Sequence, residues 1–238
     1  MAAPSDPMLN ISASSKSRKS LLFRQIIILF CLLLANVFLL LISDEFNLIK
    51  SSVSSLKSFS FVYGCVQLCL GYVGVGMREN EADVSYRFSP KTHGRTSSIL
   101  KGFLVYAVSC VIFHIVAVLF GAPLQESVEE TFLFAVLVST LSTLPCLCVF
   151  GTNGDAWNRL IVQKKPYPGL ETCVQYVVVG SLFGAWLGAV PIPLDWDRPW
   201  QIWPVSCSIG ALWGHTLGHI AGLIHVAKRQ QTKTKGKH

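Results

Sequence analysis

The chain has 238 residues, 51% of them apolar and only 14% charged, with a formal net charge of +7 and a mean hydropathy of +0.49. That balance defines an integral membrane protein and excludes a nucleic-acid binder, because no basic patch is interleaved with aromatic residues. About 20 mostly apolar residues cross roughly 30 Å of hydrocarbon, and six segments qualify, so the expected fold is all-α and polytopic.

Residues 1–20 form a polar tail, and 21–43 are the first expected span. Its apolar stretch exceeds the about 7 to 15 residues of a secretory signal core and no small-residue cleavage site follows, so it is expected to be retained. Arg24 lies one turn inside and can snorkel its guanidinium to the surface. The second span is 59–77, followed by the one long polar connection, 78–101. The third, 102–120, carries His114, and the loop 121–130, GAPLQESVEE, leads into the fourth, 131–150. Ser127 and Glu130 match a capping box at the start of that span. Pro145 near its end predicts a kink, with the freed carbonyl met by Ser142, Thr143 or a neighbouring helix. A kink there leaves room for a lipid-sized groove.

The fifth and sixth spans, 172–190 and 202–227, are joined by the string PIPLDWDRPWQIWP at 191–204, the most informative feature of the sequence. Gly180, Gly184 and Gly188 recur at a spacing of four in the first, and Gly210, Gly214, Gly218 and Gly222 in the second. Residues four apart share a helix face, and in lipid bare glycine faces let backbones approach closely. These seven glycines are the expected helix-packing and partner-binding residues, a glycine zipper. In the loop, Pro191, Pro193, Pro199 and Pro204 rule out a helix interior. Trp196, Trp200 and Trp203 are expected at headgroup depth, which makes the loop a stiff lid on the membrane surface. The membrane domain thus covers 21–227, and 228–238 is a basic tail.

Seventeen of the twenty Lys and Arg fall in the N-terminal segment, the second and fourth loops and the C-terminal tail, leaving Lys50, Lys57 and Arg198 on the other side. Positive charge collects in the cytoplasm, so both termini are expected there. The basic tail then faces anionic headgroups, and the sequon at Asn10 goes unused.

Catalytic constellations are weak. Asp195, Asp197, Glu126, Glu129 and Glu130 all fall on the non-cytoplasmic side and offer hard oxygen ligands. The simpler account is a helix N-terminus for the glutamates, with a turn hydrogen bond or an ion pair to Arg198 for the aspartates. His215 and His219 lie one turn apart, but no Glu follows His215 as a zinc protease requires, and each follows a glycine of the stripe. Neutral histidines bonded across a helix contact are the expected state. All eight cysteines fall inside expected spans, where they act as small apolar residues. Neither a GxSxG elbow nor a phosphate-binding loop occurs. No catalytic residue, metal or cofactor is expected.

Residues 120–151, FGAPLQESVEETFLFAVLVSTLSTLPCLCVFG, and 180–211, GSLFGAWLGAVPIPLDWDRPWQIWPVSCSIGA, resemble the phosphatidylinositol glycan class F family of glycosylphosphatidylinositol (GPI) anchor assembly. The resemblance implies an endoplasmic reticulum membrane subunit that associates with the large ethanolamine phosphate transferases, the class O and class G proteins. Those partners add phosphoethanolamine to mannoses of the GPI precursor, and the catalytic metal site is theirs. Membrane lipid surrounds such a chain, and the GPI precursor is a further candidate contact. Two rival classes stand beside this one. An enzyme acting on lipid head groups would need the acids of the non-cytoplasmic loops or the membrane histidines, with Asp195 and His219 as test positions, and a transporter would need a polar path through several spans, with Gln67, His114, Gln175 and the last-span histidines as candidates.

Overall fold

The structure, a computed structural model, describes residues 52–79, 95–123, 125–167 and 170–235, together with Ile26, Ile27, Leu29, Phe30 and Leu34. The first expected span, 21–43, and most of the connection 78–101 lie outside the described residues. The helices bounded within the described residues are α1 (Ser52–Glu79), α2 (Arg95–Leu119), α3 (Val128–Phe150), α4 (Gly154–Ile161), α5 (Leu170–Ala189) and α6 (Val205–Lys235), with a 3-10 turn over Pro199–Gln201; Ile26, Ile27, Leu29, Phe30 and Leu34 are helical as well. No strand occurs among the described residues. Among the described residues three stretches, Ile99–Leu119, Val128–Phe150 and Leu170–Ala189, are long and apolar enough to cross a membrane.

The α1 helix starts at Ser52, seven residues before the expected 59, and three further departures bear on the fold. The α2 helix starts at Arg95, inside the expected polar connection. The α6 helix starts at Val205 rather than 202, because Pro204 and the 3-10 turn before it cannot join a helix interior. It then continues through the basic segment to Lys235. The third departure is α4, a short helix in what was expected to be an open loop. Asn153 caps it by accepting a hydrogen bond from the Asp155 amide at 3.0 Å. Ala156 and Leu160 then bury one face against Cys146, Phe150 and Val174, and the Trp157 indole donates to the Gly151 carbonyl at 3.0 Å.

At the centre is α3, which packs against α1, α2, α5 and α6. Its residues are apolar or small on every side, and a helix apolar all round is a buried one: Leu137 and Leu141 are fully enclosed, and so are Thr131, Ser139 and Thr140. Several of its hydroxyls fold back on the helix, with Thr140 donating to the Val136 carbonyl at 2.8 Å and Ser142 to Val138 at 2.6 Å. Pro145 lies inside α3 and leaves the Leu141 carbonyl without its helical donor. Neither Ser142 nor Thr143 supplies the replacement. Ser181 of α5 approaches that carbonyl at 3.5 Å. The turn around Pro145 is enclosed by protein, with residues 141–146 all buried, so no groove opens there.

The expected capping box at Ser127 is not formed. Ser127 occupies the N-cap of α3 but its side chain makes no capping bond. Thr131 donates instead to the Ser127 carbonyl at 2.8 Å, and Glu129 reaches away to Lys57 of α1. That ion pair has side chains 56% and 59% exposed and contributes about 0–1 kcal/mol, as exposed pairs do. The helices are held mainly by apolar packing. One cluster joins Leu56, Phe59 and Tyr63 of α1 to Leu137 and Leu141 of α3 and to Ala211 and Leu212 of α6.

Candidate functional site

The two glycine stripes face each other. A Cβ placed at Gly180, Gly184, Gly188, Gly210, Gly214 or Gly218 would lie within 3.0 Å of backbone atoms of the opposite helix, closer than real Cβ atoms come. Gly184 sits against Gly210 and Gly214, Gly180 against Gly214 and Gly218, and Gly188 against Ser206 and Cys207. Gly222 is looser, 3.2 Å from the Cys173 Cα. With only hydrogen on the Cα atoms, Cα–H groups can meet carbonyls of the opposite backbone, and such contacts recur at helix interfaces. The stripe therefore makes an intramolecular hairpin, and α5 and α6 cover each other's glycines. Outside the seam, α5 presents Val179, Phe183, Trp186 and Leu187 outward, each at least 47% exposed.

Between the two helices the loop is folded around Gln201, a residue for which sequence reasoning assigned no role. Its side-chain nitrogen donates to the carbonyls of Pro191 at 2.8 Å and Leu194 at 2.7 Å, and its oxygen accepts from the Arg198 amide at 2.8 Å. Three bonds from one buried amide hold the string in place, each contributing about 1 kcal/mol net. We expect Gln201→Ala to loosen the loop selectively. Limited proteolysis at 191–204 should speed up while α5 and α6 stay intact, and equal protection would show that the prolines alone hold the loop.

The three loop tryptophans do not form one membrane-facing layer. Trp203 donates its indole N–H to Thr131 at 2.9 Å and packs on Phe134, ring centroids 5.1 Å apart. Trp200 leans on the α1–α3–α6 apolar cluster, and only Trp196 stands well out, 55% exposed. Pro191 is half-buried, whereas Pro193, Asp195, Asp197, Arg198 and Pro199 are exposed. The expected ion pair with Arg198 is not made: among the described residues no salt bridge joins it to Asp195 or Asp197. Asp197 takes a positive φ of 45°, a left-handed backbone conformation in which Asn and Asp are enriched among residues other than glycine. Glu126 is exposed and Glu130 half-buried. These acids do not converge, and no group of three or more His, Cys, Asp or Glu is arranged to hold a metal ion among the described residues.

A polar node whose partners were not legible in the sequence joins α1, α5 and α6 deep in the bundle. His215 of α6 is fully buried. Its Nε2 lies 2.5 Å from the Tyr63 hydroxyl of α1, and its Nδ1 lies 2.8 Å from Ser181 Oγ of α5. Gln67 Nε2 donates to the Tyr63 hydroxyl at 2.8 Å. The ring of His219 meets that of His215 edge-on, centroids 4.8 Å apart. The expectation of a cross-helix histidine holds for His215. Its partners, 152 and 34 residues away in the chain, carry no local signal. At the other end of the bundle Glu171 is buried to 1% exposure and accepts from Arg159 at 2.9 Å and from the Tyr167 amide at 2.7 Å. The Arg159 guanidinium also lies over the Tyr167 ring, 4.4 Å from its centroid.

These features define an all-helical membrane protein whose distinctive polar groups fasten its own helices to one another. Residues 25–223 match the GPI biosynthesis protein family Pig-F, and the chain belongs to that family. A human protein named GPI ethanolamine phosphate transferase, stabilizing subunit, is 38% identical over 206 residues, covering 87% of this chain and 89% of its own length. The mouse protein of the same name is 39% identical over the same length and coverage. Glycosylphosphatidylinositol anchor biosynthesis protein 11 of Yarrowia lipolytica is 36% identical over 141 residues, 59% of this chain and 61% of its own length. No solved structure matches.

Proposed function

We propose that this chain is the non-catalytic stabilising subunit of GPI ethanolamine phosphate transferase complexes, which add phosphoethanolamine to mannoses of the GPI precursor. The observation that carries the reading is the 38% identity, over 87% of the chain, to a human protein that bears that name. The geometry agrees with it. The buried polar side chains of the node and of the Glu171 knot bond to other parts of the chain, and the acids of the loop stand apart.

The transferases, of class O and class G, supply the catalysis. The chain spans the endoplasmic reticulum membrane six times with both termini cytoplasmic, an orientation supported by the distribution of Lys and Arg. Gly180, Gly184, Gly188, Gly210, Gly214, Gly218 and Gly222 serve the complex by giving the α5–α6 hairpin its shape. The Gln201-braced loop with Asp195, Trp196, Asp197 and Arg198 forms the lumenal edge that the transferase meets.

Removing the chain from cells tests this reading. Transferase protein should fall while its transcript holds, GPI precursors lacking phosphoethanolamine should accumulate, and the wild-type chain should restore both. Unchanged transferase abundance in cells without the chain would refute a stabilising role.

A further inference from the structure

The hydrogen bonds of the buried node have a direction that fixes the state of His215. Ser181 has one hydroxyl proton, and the two carbonyls beside it take that proton: Val177 at 2.7 Å and the Pro145-freed Leu141 at 3.5 Å. Toward His215 Nδ1, 2.8 Å away, Ser181 Oγ is then an acceptor, so Nδ1 carries a proton. A neutral imidazole has one N–H and one acceptor nitrogen, which leaves Nε2 to accept from the Tyr63 hydroxyl. Tyr63 oxygen in turn accepts from Gln67. From Gln67 through Tyr63 and His215 to Ser181 each link then has one donor and one acceptor, and the chain ends on backbone carbonyls. The reverse order takes the Ser181 proton away from both carbonyls.

We infer that the node is a directional latch: it holds His215 as the neutral Nδ1–H tautomer and makes Tyr63 the positioning residue that sets α1 against the glycine hairpin. Apolar surfaces slide and rotate at little cost, particularly in lipid, where the surroundings are as apolar as the contact. A hydrogen bond between fully buried partners does not, because moving it leaves a donor or acceptor bare. Tyr63 and Gln67 lie one turn apart on α1 and Ser181 and His215 on the two arms of the hairpin, so one rotation and one depth of α1 satisfy the whole chain. The proline-freed carbonyl on α3 adds a fourth helix. The latch is independent of whether the chain binds a transferase.

Solid-state NMR on the wild-type chain in lipid bilayers, labelled with 15N-histidine and 13C-tyrosine, reads the tautomer directly. Magnetisation passed from tyrosine Cζ selects nitrogens near a tyrosine hydroxyl, which among the described residues are His215 Nε2 and, at 3.4 Å from Tyr176, His225 Nδ1; a His225→Gln chain removes the second. The expected spectrum shows the tyrosine-coupled nitrogen without a proton and its ring partner protonated. A protonated tyrosine-coupled nitrogen, or no transfer from tyrosine, overturns the assignment. Positioning is read separately by spin labels at the exposed positions Phe61 of α1 and Leu217 of α6, in a chain whose accessible cysteines are serine. Tyr63→Phe should broaden the α1–α6 distance while a Phe183–Leu217 pair across the hairpin stays narrow. An unbroadened α1–α6 distance overturns the latch.

Discussion

Gly184→Ala is expected to cost about 4 kcal/mol, at the upper end for single substitutions, although it adds one methyl group to a helix and alanine is the better helix former. The added Cβ would fall on backbone: the Gly210 carbonyl, and the Gly214 Cα at 2.9 Å. No side chain can rotate out of the way, so the two helices must separate along the seam. Gly214→Ala meets the mirror situation, with the Gly184 Cα at 2.9 Å. The same substitution elsewhere provides the control. At Gly102 nothing lies within 4 Å, and at Gly64 the nearest atoms are side-chain carbons at 3.8 and 3.9 Å. There alanine should be neutral or stabilising by up to about 1 kcal/mol. Gly222→Ala, with Cys173 at 3.2 to 3.4 Å, should fall between. Thermal unfolding of the five purified variants in one detergent measures the order. Equal behaviour of Gly184→Ala and Gly102→Ala would show that the helices are not in backbone contact.

The second large effect is expected at Glu171. Its carboxylate is buried to 1% exposure and holds both Arg159 and the Tyr167 amide. Glu171→Ala leaves a guanidinium, only 19% exposed, and a backbone N–H without that acceptor, and breaking such a buried pair from one side costs about 3–5 kcal/mol. At about 2–4 °C per kcal/mol for a chain of this size, the melting midpoint should drop by roughly 10 °C. Glu171→Gln should lose less, since its carbonyl can still accept from Tyr167. The combined Arg159→Met, Glu171→Leu chain should recover much of the loss, because it removes both charges rather than stranding one. A loss no larger in Glu171→Ala than in Lys57→Ala, whose ion pair is exposed, would contradict the burial of this knot.

The sequence carried the parts of this architecture that repeat. Runs of apolar residues located α1, α2, α3, α5 and α6, and the fourfold glycine spacing located the seam, because both signals sum over many positions. Single polar residues carried no such signal. Gln201 looked like any loop glutamine, and its partners Pro191 and Leu194 are backbone carbonyls whose position depends on the folded loop. Tyr63 and His215 meet across 152 residues, and only the three-dimensional arrangement of α1 and α6 brings them together. The α4 helix was hidden because eight residues are too few for a periodic pattern, although Asn153 before Asp155, with apolar Ala156, Trp157, Leu160 and Ile161, was the legible trace. The capping box at Ser127 is the opposite case: the Ser127–Glu130 motif was present, but the Ser127 side chain makes no capping bond in the folded chain.

The central claim is that the chain stabilises a transferase through its membrane fold and performs no transfer itself. Its most direct test is quantitative co-purification from gently solubilised membranes, comparing the wild-type chain with Gly184→Leu and with Gly102→Leu, which has open space around it, and assaying phosphoethanolamine transfer in each fraction. The account predicts that transferase and activity come with the wild type and with Gly102→Leu, that both are lost with Gly184→Leu, and that the chain stripped of transferase is inactive. Transfer by the isolated chain, or full recovery of transferase with Gly184→Leu, would contradict it.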